Sequence, residues 1–165
     1  MTAQPVPPDL ALPPDLPVPA SGRFIDGIHY FPARVYFEDT DAGGIVYHAN
    51  YLRIMERARS DMLRVAGIDQ RGTLDRGDGV YAVAKVTISY RRPARLDDDL
   101  IVVSKVIGVG AATCAINQTI MRGSETLTLA DVTAAYMTPK GRPKRQPEPW
   151  RAIFNCLAEG KDLPA

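Results

Sequence analysis

Histidine and cysteine are scarce in this chain. Its 165 residues include only two histidines, His29 and His48, and two cysteines, Cys114 and Cys156. A site built from several histidines is therefore excluded, and the cysteines show neither metal-type spacing nor a partner cluster. They read as reduced, small apolar residues of a cytosolic protein. An excess of one charge is also missing. Lysine and arginine number 20 against 19 aspartates and glutamates, a net charge of +1. A dedicated nucleic-acid binder carries a marked basic excess, so that class is argued against. No run of about 18 or more apolar residues occurs, so nothing predicts a membrane span. The N-terminus lacks the basic segment and apolar segment of a secretory signal, and secretion is not expected. At this length the chain can bury one proper core and is short for two.

Proline is plentiful but unevenly placed. Half of the chain's 14 prolines fall in residues 1–22, where Pro-Pro-Asp-Leu occurs twice, at 7–10 and 13–16. A segment of that composition cannot bury enough apolar surface to order itself, and proline favours an extended backbone. Residues 1–22 are therefore expected to be a disordered arm. It reads as a solubilising tail, with a docking peptide as the alternative. The folded domain is expected over 23–149, and 150–165 as a tail in which Trp150 to Leu157 makes a short helix.

Periodicity divides the domain. Ile28 to Phe37 is strand-like. From Asn50 to Val65 the apolar residues Tyr51, Ile54, Met55, Ala58, Met62 and Val65 recur at helical spacing, with Arg53, Glu56, Arg57, Ser60, Asp61 and Arg64 opposite. Asn50 suits an N-cap and Gly67 a C-terminal stop. A helix apolar on one stripe must lie against something flat. A Gly/Asp-rich loop, Arg71 to Gly79, precedes four strand-like runs: Val80–Tyr90, Asp99–Val109, Ala112–Arg122 and Glu125–Met137. In the first, Val80, Ala82, Ala84, Val86, Ile88 and Tyr90 are predicted to share one face. The breaks at Gly108–Gly110 and Gly123–Ser124 are hairpin signals. The order predicts an α+β fold, a curved antiparallel sheet wrapped round one helix. One helix cannot cover such a sheet, so a second copy is expected to cover an edge or face.

The segment Arg34 to Tyr51 carries the chemistry. It places Glu38, Asp39 and Asp41, the pair Gly43-Gly44 and His48 between a strand and a helix. A strand end, a loop and a helix start could be built from blander residues. A carboxylate beside a helix N-terminus suits a base or nucleophile facing an electrophilic carbonyl. Glu38 and Asp39 read as loop-solvating residues or caps, and His29 as an ordinary strand residue.

This motif, with its core Asp39-Thr40-Asp41-Ala42-Gly43-Gly44-Ile45-Val46-Tyr47-His48, resembles the 4-hydroxybenzoyl-CoA thioesterase branch of the hotdog-fold proteins. It is most similar to the YbgC-type acyl-CoA thioesterases associated with the Tol-Pal system. The likeness continues through Glu56–Arg64 and Tyr90–Asp98 and covers roughly residues 30–145. It implies a hotdog fold: a long helix wrapped by a five-stranded antiparallel sheet, dimerising through the sheet, with acyl-CoA sites at the subunit interface and tetramers common. It implies Asp41 as the catalytic carboxylate and the backbone N–H near His48 as the group that polarises the thioester carbonyl. The His48 imidazole is placed to orient water or the leaving thiolate. Gly43, Gly44, Ile45, Tyr47, Arg91 and Arg92 are expected to bind substrate. No cofactor and no metal is expected, since a thioester is already activated. The implied partners are acyl-CoA, with acyl carrier protein as an alternative donor, and a homodimer or homotetramer. A cytoplasmic enzyme of lipid metabolism is implied, with peripheral association at the inner membrane kept open.

Two departures from the family pattern stand out. Phe37 occupies a position where relatives often carry tyrosine. The hairpin Gly108-Val109-Gly110-Ala111 is small and neutral where relatives often place basic residues near the CoA phosphates. Arg91, Arg92 and Arg95, or Lys140, Arg142, Lys144 and Arg145, are the remaining candidates for phosphate binding. Glu56 is the fallback carboxylate. The competing readings are a hotdog dehydratase and a non-catalytic acyl-thioester-binding scaffold at the cell envelope.

Overall fold

The computed structural model describes residues 15–163. The first 14 of the 22 residues of the expected proline arm lie outside them. Six strands, β1 (Arg23–Ile25), β2 (Ile28–Arg34), β3 (Val80–Tyr90), β4 (Asp99–Val109), β5 (Thr113–Arg122) and β6 (Glu125–Met137), form one antiparallel sheet in the order β1-β2-β4-β5-β6-β3. Three helices accompany it: α1 (His48–Val65), α2 (Gln70–Asp75) and α3 (Glu148–Ala158). The long helix and the four consecutive strands stand where periodicity placed them. The sheet has six strands rather than the five implied by the family, because the chain adds β1 as a short hairpin arm on β2. Its turn is Asp26-Gly27, with φ of 52° and 71°. Two left-handed residues match the twist of a two-residue hairpin.

Helix α1 crosses the sheet. It leaves from the β2 side and delivers the chain to β3 at the opposite edge. Its first half buries Tyr51, Ile54, Met55 and Ala58 against Leu100, Val102, Ile120, Leu127, Ala130 and Val132. Its second half buries Met62 and Leu63 with Val106, Cys114 and Ile116, and there α3 adds Phe154 and Leu157. Each fully buried side chain of this size contributes about 1.5–3 kcal/mol. The terminal helix expected from Trp150 to Leu157 is present and slightly longer. Trp150 stacks on Tyr81 with ring centroids 5.9 Å apart.

Several local expectations are corrected. The strand predicted to reach Phe37 ends at Arg34, and Phe37–Asp39 is a 3-10 turn. Asn50 is not the N-cap: α1 starts at His48 after Tyr47, and the Asn50 amide donates to the Asp39 carbonyl at 3.0 Å. Gly67 does follow the helix in the left-handed conformation, φ 73°. Val65 is exposed. Asp61, assigned to the polar face, is buried. Part of the Arg71–Gly79 loop is helix α2, capped by the Asp69 carboxylate on the Gly72 N–H at 2.9 Å. In β3 the register slips between Val83 and Lys85. Ala84 is the extra residue of a bulge, which switches faces. The face opposite the buried Tyr136, Ala134, Val132 and Ala130 is therefore Tyr81, Val83, Val86 and Ile88, rather than Val80, Ala82 and Ala84.

Asp61 is buried because it gathers donors. It accepts from the Ser21 hydroxyl at 2.8 Å, the Gly22 N–H at 2.7 Å and His29 Nε2 at 3.0 Å. This cluster ties the end of the N-terminal arm, β2 and α1 together. A Cβ on Gly22 would lie 2.4 Å from the Tyr30 carbonyl oxygen, so only glycine passes there. Desolvation lowers the His29 pKa from 6.5, against the opposing pull of Asp61. Below pH 6.5 the unfolded chain takes up a proton that the folded chain does not, so this group's contribution to stability fades as pH falls through that range. Urea denaturation between pH 7.5 and 5 should show stability falling with pH more steeply in the native protein than in His29→Gln. Parallel slopes would remove the assigned role of His29.

Candidate active site

The loop between β2 and α1 is held at every step by hydrogen bonds. Val35 is fully buried and donates its N–H to the Asp98 carbonyl at 3.0 Å. The chain then turns through Phe37–Asp39, where the buried Asp39 carboxylate accepts the Tyr36 N–H at 2.9 Å. Asp39 is thus a cap. Its carbonyl also takes the Tyr47 N–H at 2.9 Å and the Asn50 amide at 3.0 Å. That oxygen sets where the helix begins. Between these anchors Asp41 and Ile45 pair through the Asp41 N–H and Ile45 carbonyl at 2.9 Å, and Gly44 N–H donates to the Asp41 carbonyl at 2.9 Å. Val46 N–H donates to the Ala94 carbonyl at 2.9 Å, and the Tyr51 hydroxyl accepts the Ala94 N–H at 2.8 Å, which fixes the loop against the Pro93–Ala94 segment.

Asp41 sits at the start of this tight turn and is exposed. Its Oδ1 accepts the Gly43 N–H at 2.8 Å. Among the described residues Oδ2 has no protein partner. One oxygen orients the carboxylate while the other faces solvent. A Cβ on Gly43 would stand 3.1 Å from Oδ1, so glycine leaves the carboxylate room. Gly44 is left-handed, φ 71°.

His48 is the first residue of α1 rather than the residue before it. Among the described residues no acceptor takes the backbone N–H of His48 or Ala49. These are the unpaired donors of a helix start, where the helix dipole adds partial positive charge. The His48 carbonyl accepts the Tyr90 hydroxyl at 2.9 Å. The imidazole packs on Tyr47, with centroids 4.4 Å apart, and meets Tyr90 edge-on at 6.3 Å. Burial pushes the Tyr51 and Tyr90 hydroxyls above their ordinary pKa, so both act as neutral phenols.

An open cleft of about 380 Å³ brings the predicted residues together: Asp41, Ile45, Tyr47, His48, Arg91 and Arg92 all line it. Gly43 and Gly44 do not line it and act through the loop backbone. Tyr51, Tyr90 and Pro93 also line it and were not singled out from sequence. Tyr51 and Tyr90 carried only an apolar-stripe and strand signal, and nothing in periodicity marks a phenol that bonds a helix start. Phe37 is 81% exposed and points into no part of this cleft. Arg92 pairs with Glu125 at 3.0 Å, whereas Arg91 has no carboxylate partner among the described residues. Arg95 and the Lys140–Arg145 segment stand outside the cleft; the latter follows Met137, which pairs with Val80 at the far end of β3 from Tyr90. Glu56 lies eight residues beyond His48, about 12 Å along the helix. It pairs with Arg59 and lines a different cavity. Chemically, the cleft joins a carboxylate with one free oxygen to backbone donors at a helix start. That pair can activate water and hold an oxyanion.

Residues 35–154 match the sequence profile of the thioesterase-like superfamily. The acyl-CoA thioesterase YbgC of Haemophilus influenzae is 40% identical over 134 residues, which span 81% of this chain and 98% of that protein. The acyl-CoA thioester hydrolase YbgC of Escherichia coli strain CFT073 is 38% identical over 126 residues, 75% of this chain and 93% of that protein. The crystal structure of a probable thioesterase from Bartonella henselae superposes with a TM-score of 0.69 at 35% identity, over 73% of this chain and 99% of that one.

The turn itself is open to test. Gly44→Ala forces a side chain into the left-handed region at a cost of about 1–2 kcal/mol. Thermal unfolding should show a Tm lower by about 2–8 °C. An unchanged Tm would mean that the turn relaxes freely.

Proposed function

This chain belongs to the thioesterase-like (hotdog) superfamily, and on that premise we propose that its Asp41–His48 cleft is the active site of an acyl-CoA thioesterase. The reaction is hydrolysis of an acyl-CoA thioester to a free carboxylic acid and CoA. One observation carries the assignment of the site: a carboxylate with an unpartnered oxygen lines one cleft with His48, the first residue of a helix whose leading N–H groups are unpaired. In the mechanism we propose, the thioester carbonyl oxygen lies against the His48 and Ala49 N–H groups. Asp41 Oδ2 takes a proton from a water molecule as that water attacks the carbonyl carbon. The resulting oxyanion is held by donors that need no reorganisation, each worth about 10²–10³ in rate. Collapse expels the CoA thiolate. Direct attack by Asp41 to give an anhydride, which water then opens, uses the same atoms. The distinction between the two routes does not change which residue is indispensable.

The fold supports a homodimer. β3 is an edge strand, and its inward face leaves Val83 at 46%, Val86 at 38% and Tyr90 at 45% exposed. Helix α1 packs on β2 and β4 and meets β3 at Tyr90, while Val83 and Val86 remain exposed. A second copy joined along β3 would pair the edge and cover the stripe. Two such dimers would make the tetramer. A cytoplasmic location is part of this proposal, because acyl-CoA is an intracellular substrate. Among the described residues no helix is long and apolar enough to cross a membrane.

Asp41→Asn should lower turnover of acyl-CoA at least ~100-fold, measured by thiol release, with the fold intact by circular dichroism. Near-native turnover would refute the assignment. Arg91 and Arg92, at the cleft rim, are proposed to meet the CoA phosphates. Replacing both with alanine should raise KM for acyl-CoA and leave KM for an acyl-pantetheine thioester, which lacks the nucleotide phosphates, unaltered. Equal effects on the two substrates would remove the phosphate role.

A further inference from the structure

The Tyr90 hydroxyl donates to the His48 carbonyl at 2.9 Å, from a strand 42 residues further along the chain. That carbonyl belongs to the same peptide unit as the Ala49 N–H. In a planar trans peptide the C=O and N–H groups point in opposite directions. The Tyr90 hydroxyl and an acceptor on the Ala49 N–H therefore sit at the two ends of one line. A carbonyl oxygen has two lone pairs, so the Tyr90 bond leaves room for the helix's own rung. The other free donor, the His48 N–H, shares its peptide unit with the Tyr47 carbonyl, which takes the Asn50 N–H at 2.8 Å. Both donor peptides are thus engaged at their oxygen, one by the helix itself and one by a side chain from the sheet edge.

A strand of strict alternation could not supply this group. Tyr81 faces inward, stacked on Trp150 with centroids 5.9 Å apart. Counting by twos from Tyr81 would put Tyr90 on the outer face. The bulge at Ala84 shifts the alternation by one and brings Tyr90 round to the helix side. Just past it, the Arg91 and Arg92 N–H groups both donate to the Leu127 carbonyl, at 2.8 and 3.2 Å, which pins the strand end. The ring meets Tyr51 edge-on with centroids 5.6 Å apart, and His48 at 6.3 Å. Burial holds the phenol above its ordinary pKa, so the proton it donates stays in place.

We propose that Tyr90 is a positioning residue for thioester hydrolysis: it holds and polarises the His48–Ala49 peptide, so that the Ala49 N–H meets the forming oxyanion as a stronger donor. A hydrogen bond accepted by a peptide carbonyl draws electron density from the nitrogen and leaves its N–H more positive. The gain grows with the negative charge on the acceptor. It is therefore larger for the oxyanion than for the ground-state carbonyl, and it falls on kcat rather than on KM. One oxyanion donor is worth about 10²–10³ in rate, and bonds in a chain strengthen one another by about 10–30%, so Tyr90 contributes about two- to eightfold. The bulge at Ala84 is what lets one strand serve both the core at Tyr81 and the helix start at Tyr90. This inference rests on the thioesterase reading above and on its choice of the helix-start N–H groups as the carbonyl's donors.

Tyr90→Phe keeps the ring and removes only the hydroxyl. Its single-turnover rate with acyl-CoA should fall about two- to eightfold, with KM unchanged. A tyrosine fluorinated beside its hydroxyl, placed at position 90 and assayed below its own pKa, is a stronger donor of nearly the same size. It should turn over faster than the native protein, an order that a merely structural hydroxyl would not produce. Infrared difference spectra read the polarisation directly. With a thioester isotope-labelled at its carbonyl and bound to Asp41→Asn, the carbonyl stretch should move to higher frequency when Tyr90→Phe is added, because a weaker donor polarises that bond less. An unchanged rate in Tyr90→Phe, a loss carried by KM alone, or an unmoved carbonyl stretch would overturn the proposal. If Tyr90→Phe does not fold, the fluorinated protein decides, and a rate at or below native would overturn the proposal. Failure of the native protein to cleave any acyl-CoA would remove the thioesterase reading and this proposal with it, a result distinct from all of these.

Discussion

Helix α1 has to cross the sheet, and the rest of the molecule follows from that constraint. The strands it joins, β2 and β3, lie on opposite sides of the β4-β5-β6 block. Eighteen helical residues span about 27 Å, enough for the crossing. Its apolar stripe is buried in two successive clusters, and α3 closes the second. The helix meets the inward face of β3 at Tyr90 and leaves Val83 and Val86 on that face exposed.

The start of that helix is defined by backbone atoms rather than by a capping side chain. The Asp39 carbonyl takes both the Tyr47 N–H and the Asn50 amide, and the Tyr90 hydroxyl holds the His48 carbonyl from the far edge of the sheet. Leaving the first N–H groups without a side-chain cap would ordinarily cost stability. Here it keeps those donors available to a substrate oxygen. The same economy holds at Asp41, where one oxygen is spent on Gly43 and the other is left open. The cleft is therefore built with unsatisfied groups of opposite character on a well-satisfied frame.

Much of this was legible beforehand. Strands β3, β4 and β6 begin and end where alternation and glycine breaks placed them, since hairpin-joined strands with one buried face carry strong local signals. Asp41, Ile45, Tyr47 and His48 share a cleft as expected, because thirteen contiguous residues from Asp39 to Tyr51 can only form one compact loop and helix start. Other features needed the third dimension. The bulge at Ala84 inverts which β3 residues face inward, and no local pattern announces it. Asn50 has the chemistry of an N-cap, yet a carbonyl eleven residues earlier claims its amide. Asp61 reads as a solvent-facing helix carboxylate and is buried by Ser21, Gly22 and His29 arriving from elsewhere in the chain.

The sequence by itself determined the elements, their order and the loop that holds the carboxylate, because hydrophobic period, turn residues and a contiguous motif are local properties. Only the tertiary structure decided that Tyr90, Arg91 and Arg92 stand beside Asp41 and His48, that Glu56 does not, and that β3 is an edge with an uncovered apolar face. Those facts depend on strand order and on where a helix stops over a sheet. Both are settled by the packing of residues far apart in the chain, which no single segment encodes.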